Sequence, residues 1–127
     1  MRARIELPVD AWVAFKDLRL EPVEVFRVAF LDSGNYLMAY EDIARGTVNN
    51  VTVHPREVFY SAVHLRASSI LALHNHPGAR HAPMPSESDR MMTCKLREVG
   101  ELLGIRLLDH IVIGEESYFS FKDHYFS

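Results

Sequence analysis

The chain has 127 residues, 48% of them hydrophobic and 24% charged, with a net charge of −3. Those values suit one globular domain over 1–127 and exclude a disordered polymer; the acidic balance gives no bulk attraction for nucleic acid or anionic lipid. The single cysteine, Cys94, excludes a disulfide framework or cysteine-rich zinc finger, and no apolar run approaches the roughly 20 residues of a membrane span. With no signal-peptide core at the N-terminus either, a cytoplasmic location without membrane contact is expected.

Taken in order, Leu7-Pro8-Val9-Asp10 leads into a helix over 11–18, with Trp12 and Phe15 on one side, ended by Glu21-Pro22. Residues 23–31 read as a strand, 32–35 as a turn and 36–43 as a returning strand, so the two form a hairpin. Residues 46–53 suggest a short third strand. His54 precedes Pro55 and sets the entry of a helix over 55–67, whose inward face carries Val58, Ala62 and Leu65. A buried strand over 69–73 follows, carrying His74 and His76 at its end, and 77–85 is loop. The clearest helix spans 86–103, with a stripe of Met92, Leu96, Val99 and Leu103 and a stop at Gly104. Strands over 106–113 and 118–121 close the chain around Gly114-Glu115-Glu116. Strands interleaved with helices predict an α/β (α+β mixed) fold: a curved mixed sheet with the 86–103 helix on one face and the 55–67 helix on the other.

Residues two apart on a strand share a face, so His74 and His76 can grip one ion while Asn75 turns away. Imidazole suits zinc, and Asp89 is the best candidate for a third ligand because it lies in the first turn of the 86–103 helix. Three nitrogen and oxygen donors leave one position for water, the arrangement of a catalytic site. Against this, Ser86-x-x-Asp89 also reads as a capping box, which alone is normally structural. A nearby carboxylate is needed to take the proton of that water, and from the sequence alone Glu21, Glu24, Glu41 and Glu57 could each approach the site.

Several separated blocks then carry a resemblance. They are Glu24-Val25-Phe26, Phe30-Leu31-Asp32, Gly46-Thr47-Val48-Asn49, residues 53–59, His74-Asn75-His76-Pro77-Gly78, Pro85-Ser86 with Asp89, and residues 107–114. Together these blocks span roughly 100 residues, nearly the whole chain. The sequence resembles the RadC-like branch of the JAB/MPN metalloproteases, whose zinc motif is called JAMM and whose fold is similar to that of cytidine deaminases. The resemblance implies Zn2+ held by His74, His76 and Asp89, with Glu24 as catalytic base and Ser86 steadying the oxyanion. It implies a metallohydrolase, a peptidase or isopeptidase acting on a peptide or protein substrate. The rival readings are a catalytically silent scaffold for protein interaction and a DNA-repair accessory domain; nucleic acid is a partner that the net charge does not support.

The chain departs from the family in two ways. The 77–85 loop is two residues longer than usual, which makes His81 either an extra ligand or an exposed loop histidine. The resemblance also leads to the expectation that the helix-hairpin-helix region of full-length relatives is absent here, as in an excised domain or a naturally short member. His110, in an otherwise apolar strand, is expected to support a ligand together with Asp109, whereas His64 and His124 read as surface and Cys94 as inert packing. HNH nucleases separate their histidines and asparagine, and zinc deaminases need a Cys-x-x-Cys element that one cysteine cannot supply. The oligomeric state is open, with Tyr118, Phe119, Phe121, Tyr125 and Phe126 either forming an interface or closing the core.

Overall fold

The computed structural model describes residues 2–79 and 83–126. Helix α1 spans Pro8–Ala14 and is followed by a 3-10 turn over Lys16–Leu20. Strands β1 (Val25–Leu31) and β2 (Leu37–Arg45) form the expected hairpin; then come α2 (Pro55–Leu65), β3 (Ser69–Asn75) and α3 (Glu87–Leu103). β4 (Arg106–Ile113), β5 (Tyr118–Ser120) and a short α4 (Phe121–His124) complete the chain. The fold is mixed α/β, as the alternation of elements implies. No described helix is long and apolar enough to cross a membrane.

The five strands form one sheet in the order β2-β1-β3-β4-β5. Only the β3–β4 pair is parallel, as a strand–helix–strand unit through α3 requires. β1 and β3 are buried along their whole length, which is why both read as nearly unbroken apolar runs. Alternation divides their side chains between two layers. Phe26, Val28, Phe30, Ile70 and Ala72 pack with Val58, Phe59 and Ala62 of α2 and Met92 and Leu96 of α3. Val25, Ala29, Leu31, Leu71 and Leu73 pack with Ala11, Phe15 and Leu18 from the N-terminal segment.

Thus α2 and α3 lie side by side on one face, not on opposite faces as the sequence suggested. An amphipathic stripe shows which side of a helix is apolar but not which face of the sheet receives it. The other layer is closed by α1 and the 3-10 turn, tied down by Arg27. Its guanidinium bonds Asp42 at 2.6 Å and Asp17 at 2.8 Å, and it lies 4.5 Å from the Tyr40 ring centroid.

Local chemistry accounts for the other differences. The expected third strand is a turn, because the Asn49 side chain accepts from the N–H groups of Val51 (2.9 Å) and Thr52 (3.0 Å) and competes with a sheet ladder. α1 begins at Pro8, since Asp10 caps it from inside by accepting from Glu6 N–H and Leu7 N–H at 3.0 and 2.9 Å. Phe59 rather than Leu65 completes the α2 contact face, and Leu103 is exposed. His54 caps α2 as expected, its Nδ1 accepting from Arg56 N–H at 3.0 Å. The last strand stops at Ser120, which caps α4, and Phe119 and Phe121 are buried, so these aromatics close the core. Cys94 is exposed, contrary to its reading as packing.

Gly100 of α3 lies close against the backbone leading into β4. A Cβ there would meet the Ile105 carbonyl oxygen at 2.5 Å and the Phe59 ring at 3.4 Å. Gly100→Ala is therefore expected to destabilise the domain by about 1–3 kcal/mol through overpacking, despite the roughly 1 kcal/mol by which alanine favours a helix. A fall in the urea midpoint at unchanged m-value checks this; an unchanged or raised midpoint would refute it.

Candidate metal centre

β3 delivers His74 to the layer beneath α3, buried completely, while His76 follows just beyond the strand with its side chain 24% exposed. The two Nε2 atoms are 3.0 Å apart. α3 begins directly over them. Ser86 is its N-cap, with Oγ accepting from Asp89 N–H at 3.1 Å, and Asp89 Oδ2 accepts from Ser86 N–H at 2.8 Å. The capping box is real, yet it does not exclude the site. Asp89 Oδ2 also lies 3.3 Å from His76 Nε2, and its other oxygen lies 3.4 Å from His74 Nε2. Two carboxylate oxygens let one residue do both.

Glu24 precedes β1 on the open side, with Oε1 at 4.0 Å from His76 Nε2. Glu24, His74 and His76 offer ligand atoms within 4.8 Å of one another and are close enough to bind a metal ion. Asp89 stands nearer to both histidines than Glu24 does to His76. Tetrahedral zinc with bonds of about 2.0–2.1 Å sets its donors about 3.3–3.4 Å apart. The His76–Asp89 Oδ2 and His74–Asp89 Oδ1 distances, 3.3 and 3.4 Å, lie in that range, each histidine facing a different carboxylate oxygen, and the two Nε2 atoms stand slightly closer at 3.0 Å. The 4.0 Å approach of Glu24 is longer and suits a group facing an intervening small molecule.

Behind His74 runs a buried chain of polar contacts. His74 Nδ1 meets His110 Nε2 at 2.8 Å, and His110 Nδ1 meets Thr93 Oγ1 at 2.6 Å. The Thr93 hydroxyl donates to the Asp89 carbonyl oxygen at 2.8 Å. A carbonyl can only accept, so the protons have one order that satisfies every contact. Thr93 donates to Asp89, His110 Nδ1–H donates to Thr93, and His74 Nδ1–H donates to His110 Nε2. In the neutral form of His74 this leaves the Nε2 lone pair facing Asp89 and His76. Phe26 and Phe121 wall the chain, with Phe121 stacked on His110 at 4.8 Å.

Burial pushes the Asp89 carboxyl up, but the adjoining histidines and the Ser86 N–H outweigh it and hold the group well below the usual carboxylate range. The contact with Asp89 raises His76 above its ordinary value, against burial, with Glu24 adding to the rise. Burial holds His110 far below its ordinary value and therefore neutral, as the proton order requires.

All five residues singled out from the sequence are near one another or joined through the α3 cap. Asp109, expected to share a supporting role with His110, makes no described contact with its ring. Its oxygens accept from His110 N–H (2.6 Å), Lys122 N–H (2.9 Å) and Ser120 Oγ (2.6 Å), which ties down the C-terminal segment. Burial raises its carboxyl against those contacts. The cause is a bulge in β4: Ile70 pairs with Leu107 but Leu71 pairs with Asp109, so Leu108 is looped out of register. Leu107 and His110 then share the α3 face. Thr93 is the residue that holds His110, and its place four residues after Asp89 on a helix is the signal the sequence carries for it. Glu21, Glu41 and Glu57 make no described contact with the histidines, and His81 lies outside the described residues, as does Arg80. His64 and His124 are exposed.

Comparison with known proteins agrees with this architecture. Residues 8–126 match the model of the RadC-like JAB domain. The chain is 46% identical over 123 residues to a UPF0758 protein of Protochlamydia amoebophila, covering 96% of this chain and 52% of the relative. It is 43% identical over 127 residues to a UPF0758 protein of Actinobacillus pleuropneumoniae, covering 99% and 57%. A UPF0758 protein of Xylella fastidiosa is 41% identical over 123 residues, covering 96% and 54%. The chain thus spans about half the length of the curated relatives it matches. With the family model matched from the first helix to the last, the chain belongs to the RadC-like JAB domain family.

Proposed function

We propose that this domain is a zinc-dependent hydrolase that cleaves an amide or isopeptide bond in a peptide or protein, in keeping with a reducing cytoplasm. The observation that carries the reading is the convergence of two imidazole nitrogens and a carboxylate at 3.0–3.4 Å, closed on the inner side and open toward Glu24. His74 Nε2, His76 Nε2 and Asp89 would hold the ion. Zinc there would polarise a carbonyl and lower the pKa of its water toward about 7.

The remaining work falls to the chain. Glu24, 37% exposed at its side chain, accepts a proton at Oε1 from the attacking water and returns it to the leaving amine. Ser86 Oγ accepts from Asp89 N–H, which orients the hydroxyl and leaves its own proton to donate to the carbonyl oxygen as negative charge develops. His110 and Thr93 keep His74 in the tautomer whose Nε2 is free to ligate.

Metal analysis by plasma mass spectrometry is the first test. About one zinc per chain is expected after reconstitution, lost in a His74→Ala/His76→Ala double variant and in Asp89→Ala. Glu24→Gln should retain the metal and lose cleavage of a peptide and isopeptide library. A wild-type chain that takes up no zinc would overturn the hydrolase reading in favour of an interaction scaffold.

The proton relay gives an independent prediction. Thr93→Val keeps the shape but leaves His110 Nδ1–H without its acceptor. Zinc affinity should fall about 10–100-fold at unchanged far-UV circular dichroism. Competition with a chromophoric chelator measures it, and wild-type affinity would show that the relay does not act on His74.

A further inference from the structure

The asparagine between the two histidines does work that the metal reading leaves unexplained. Antiparallel pairing of β1 with β3 ends at Phe26 opposite His74. Beyond that point, residues 21–25 have no strand partner on the β3 side. The Asn75 side chain takes the partner's place: its Oδ1 accepts from Val25 N–H at 2.7 Å, and its Nδ2 donates to the carbonyls of Val23 at 3.0 Å and Glu21 at 3.4 Å. Asn75 is 2% exposed, and its bond to Val25 N–H is buried. Glu24 sits between the two residues that the amide brackets. Its own carbonyl accepts from Gly46 N–H at 2.7 Å on the opposite side. The backbone of Glu24 is therefore fixed from both flanks, and its carboxylate stands 4.0 Å from His76 Nε2.

We propose that Asn75 is a positioning residue for Glu24, so that the segment 74–76 supplies two ligands on one face and the clamp for the general base on the other. The chemistry of the side chain is specific. One oxygen must accept while one NH2 donates twice, which only an amide of this length provides. Aspartate would keep the acceptor for Val25 N–H but set its second oxygen against two carbonyls. Alanine would leave a buried N–H and two carbonyls without partners. The inference rests on the proposed metal centre.

Cobalt(II) is the probe, because its visible absorption responds to the groups around the ion. Wild type, Glu24→Gln, Asn75→Ala and the double variant are loaded with Co2+ and compared. Asn75→Ala is expected to bind cobalt stoichiometrically, with affinity within about tenfold of wild type, since all three ligands remain. Its spectrum should shift to that of Glu24→Gln, and adding Glu24→Gln should change it no further, because both act through one carboxylate. A clamp that served only the fold would leave the spectrum as in wild type, and that result overturns the proposal. Should Asn75→Ala fail to fold, Asn75→Asp, which keeps the acceptor for Val25 N–H, is read against the same two outcomes. A Glu24→Gln spectrum identical to wild type removes Glu24 from the centre and Asn75's role with it. A wild-type chain that binds no cobalt refutes the metal centre itself, a failure distinct from an unshifted Asn75→Ala.

Discussion

The buried run from the Asp89 carbonyl through Thr93 and His110 to His74 is the interaction on which the candidate site depends. Each member is almost wholly enclosed, so a wrong proton order would leave a polar group unsatisfied in a low-dielectric interior. The order is dictated at one end, where a carbonyl oxygen can only accept. It is transmitted through a hydroxyl and an imidazole that each donate on one side and accept on the other. The result is a lone pair at His74 Nε2. The run also links both donor residues of the inner half, since it starts on Asp89 and ends on His74. β3, β4 and α3 are thereby held in one register.

That closure depends on backbone devices that place side chains on the right face. In an unbroken β4 ladder, His110 would fall on the opposite face from Leu107, among the N-terminal layer. The looped-out Leu108 shifts the phase by one residue and turns His110 under α3. Asp109 is sent elsewhere by the same step and secures the C-terminal segment through Ser120 and Lys122. On the outer side the ladder between β1 and β3 ends, and an amide side chain continues it past Glu24. The inner half of the site is thus built by packing and the outer half by hydrogen bonds at a sheet end. His76 and Glu24 accordingly keep exposure that His74 lacks.

What the sequence made legible were the features with a fixed period or a fixed local chemistry. Alternation on a strand placed His74 and His76 together; Ser86 and Gly104 bounded α3; Pro55 opened α2. What it concealed were choices settled between elements. Two amphipathic helices share one sheet face because Phe59 of α2 fits against the bare backbone at Gly100 of α3, a match invisible in either stripe. The 46–53 segment carries strand-forming residues, yet one asparagine diverts its backbone bonds into a turn. The bulge at Leu108 leaves no mark in an apolar run, so the sequence does not show that His110 turns toward Thr93 while Asp109 faces the C-terminal segment. Asn75 was legible as facing away from the metal, but the segment it faces was not.

The double use of Asp89 bears on how the centre is assembled. A carboxylate in the first turn of α3 is favoured by the helix N-terminus and by the Ser86 N–H before any ion is present. His74 is oriented by His110, and His110 by Thr93, also without an ion. The apolar layers that position these elements contain no donor residue and do not rely on the site. In a zinc finger the metal supplies the folding free energy, because the ligands converge only when it binds. Here the candidate ligands converge because a cap, a strand pair and a buried relay hold them. The free energy of binding an ion there would then be left largely undiminished by ordering costs.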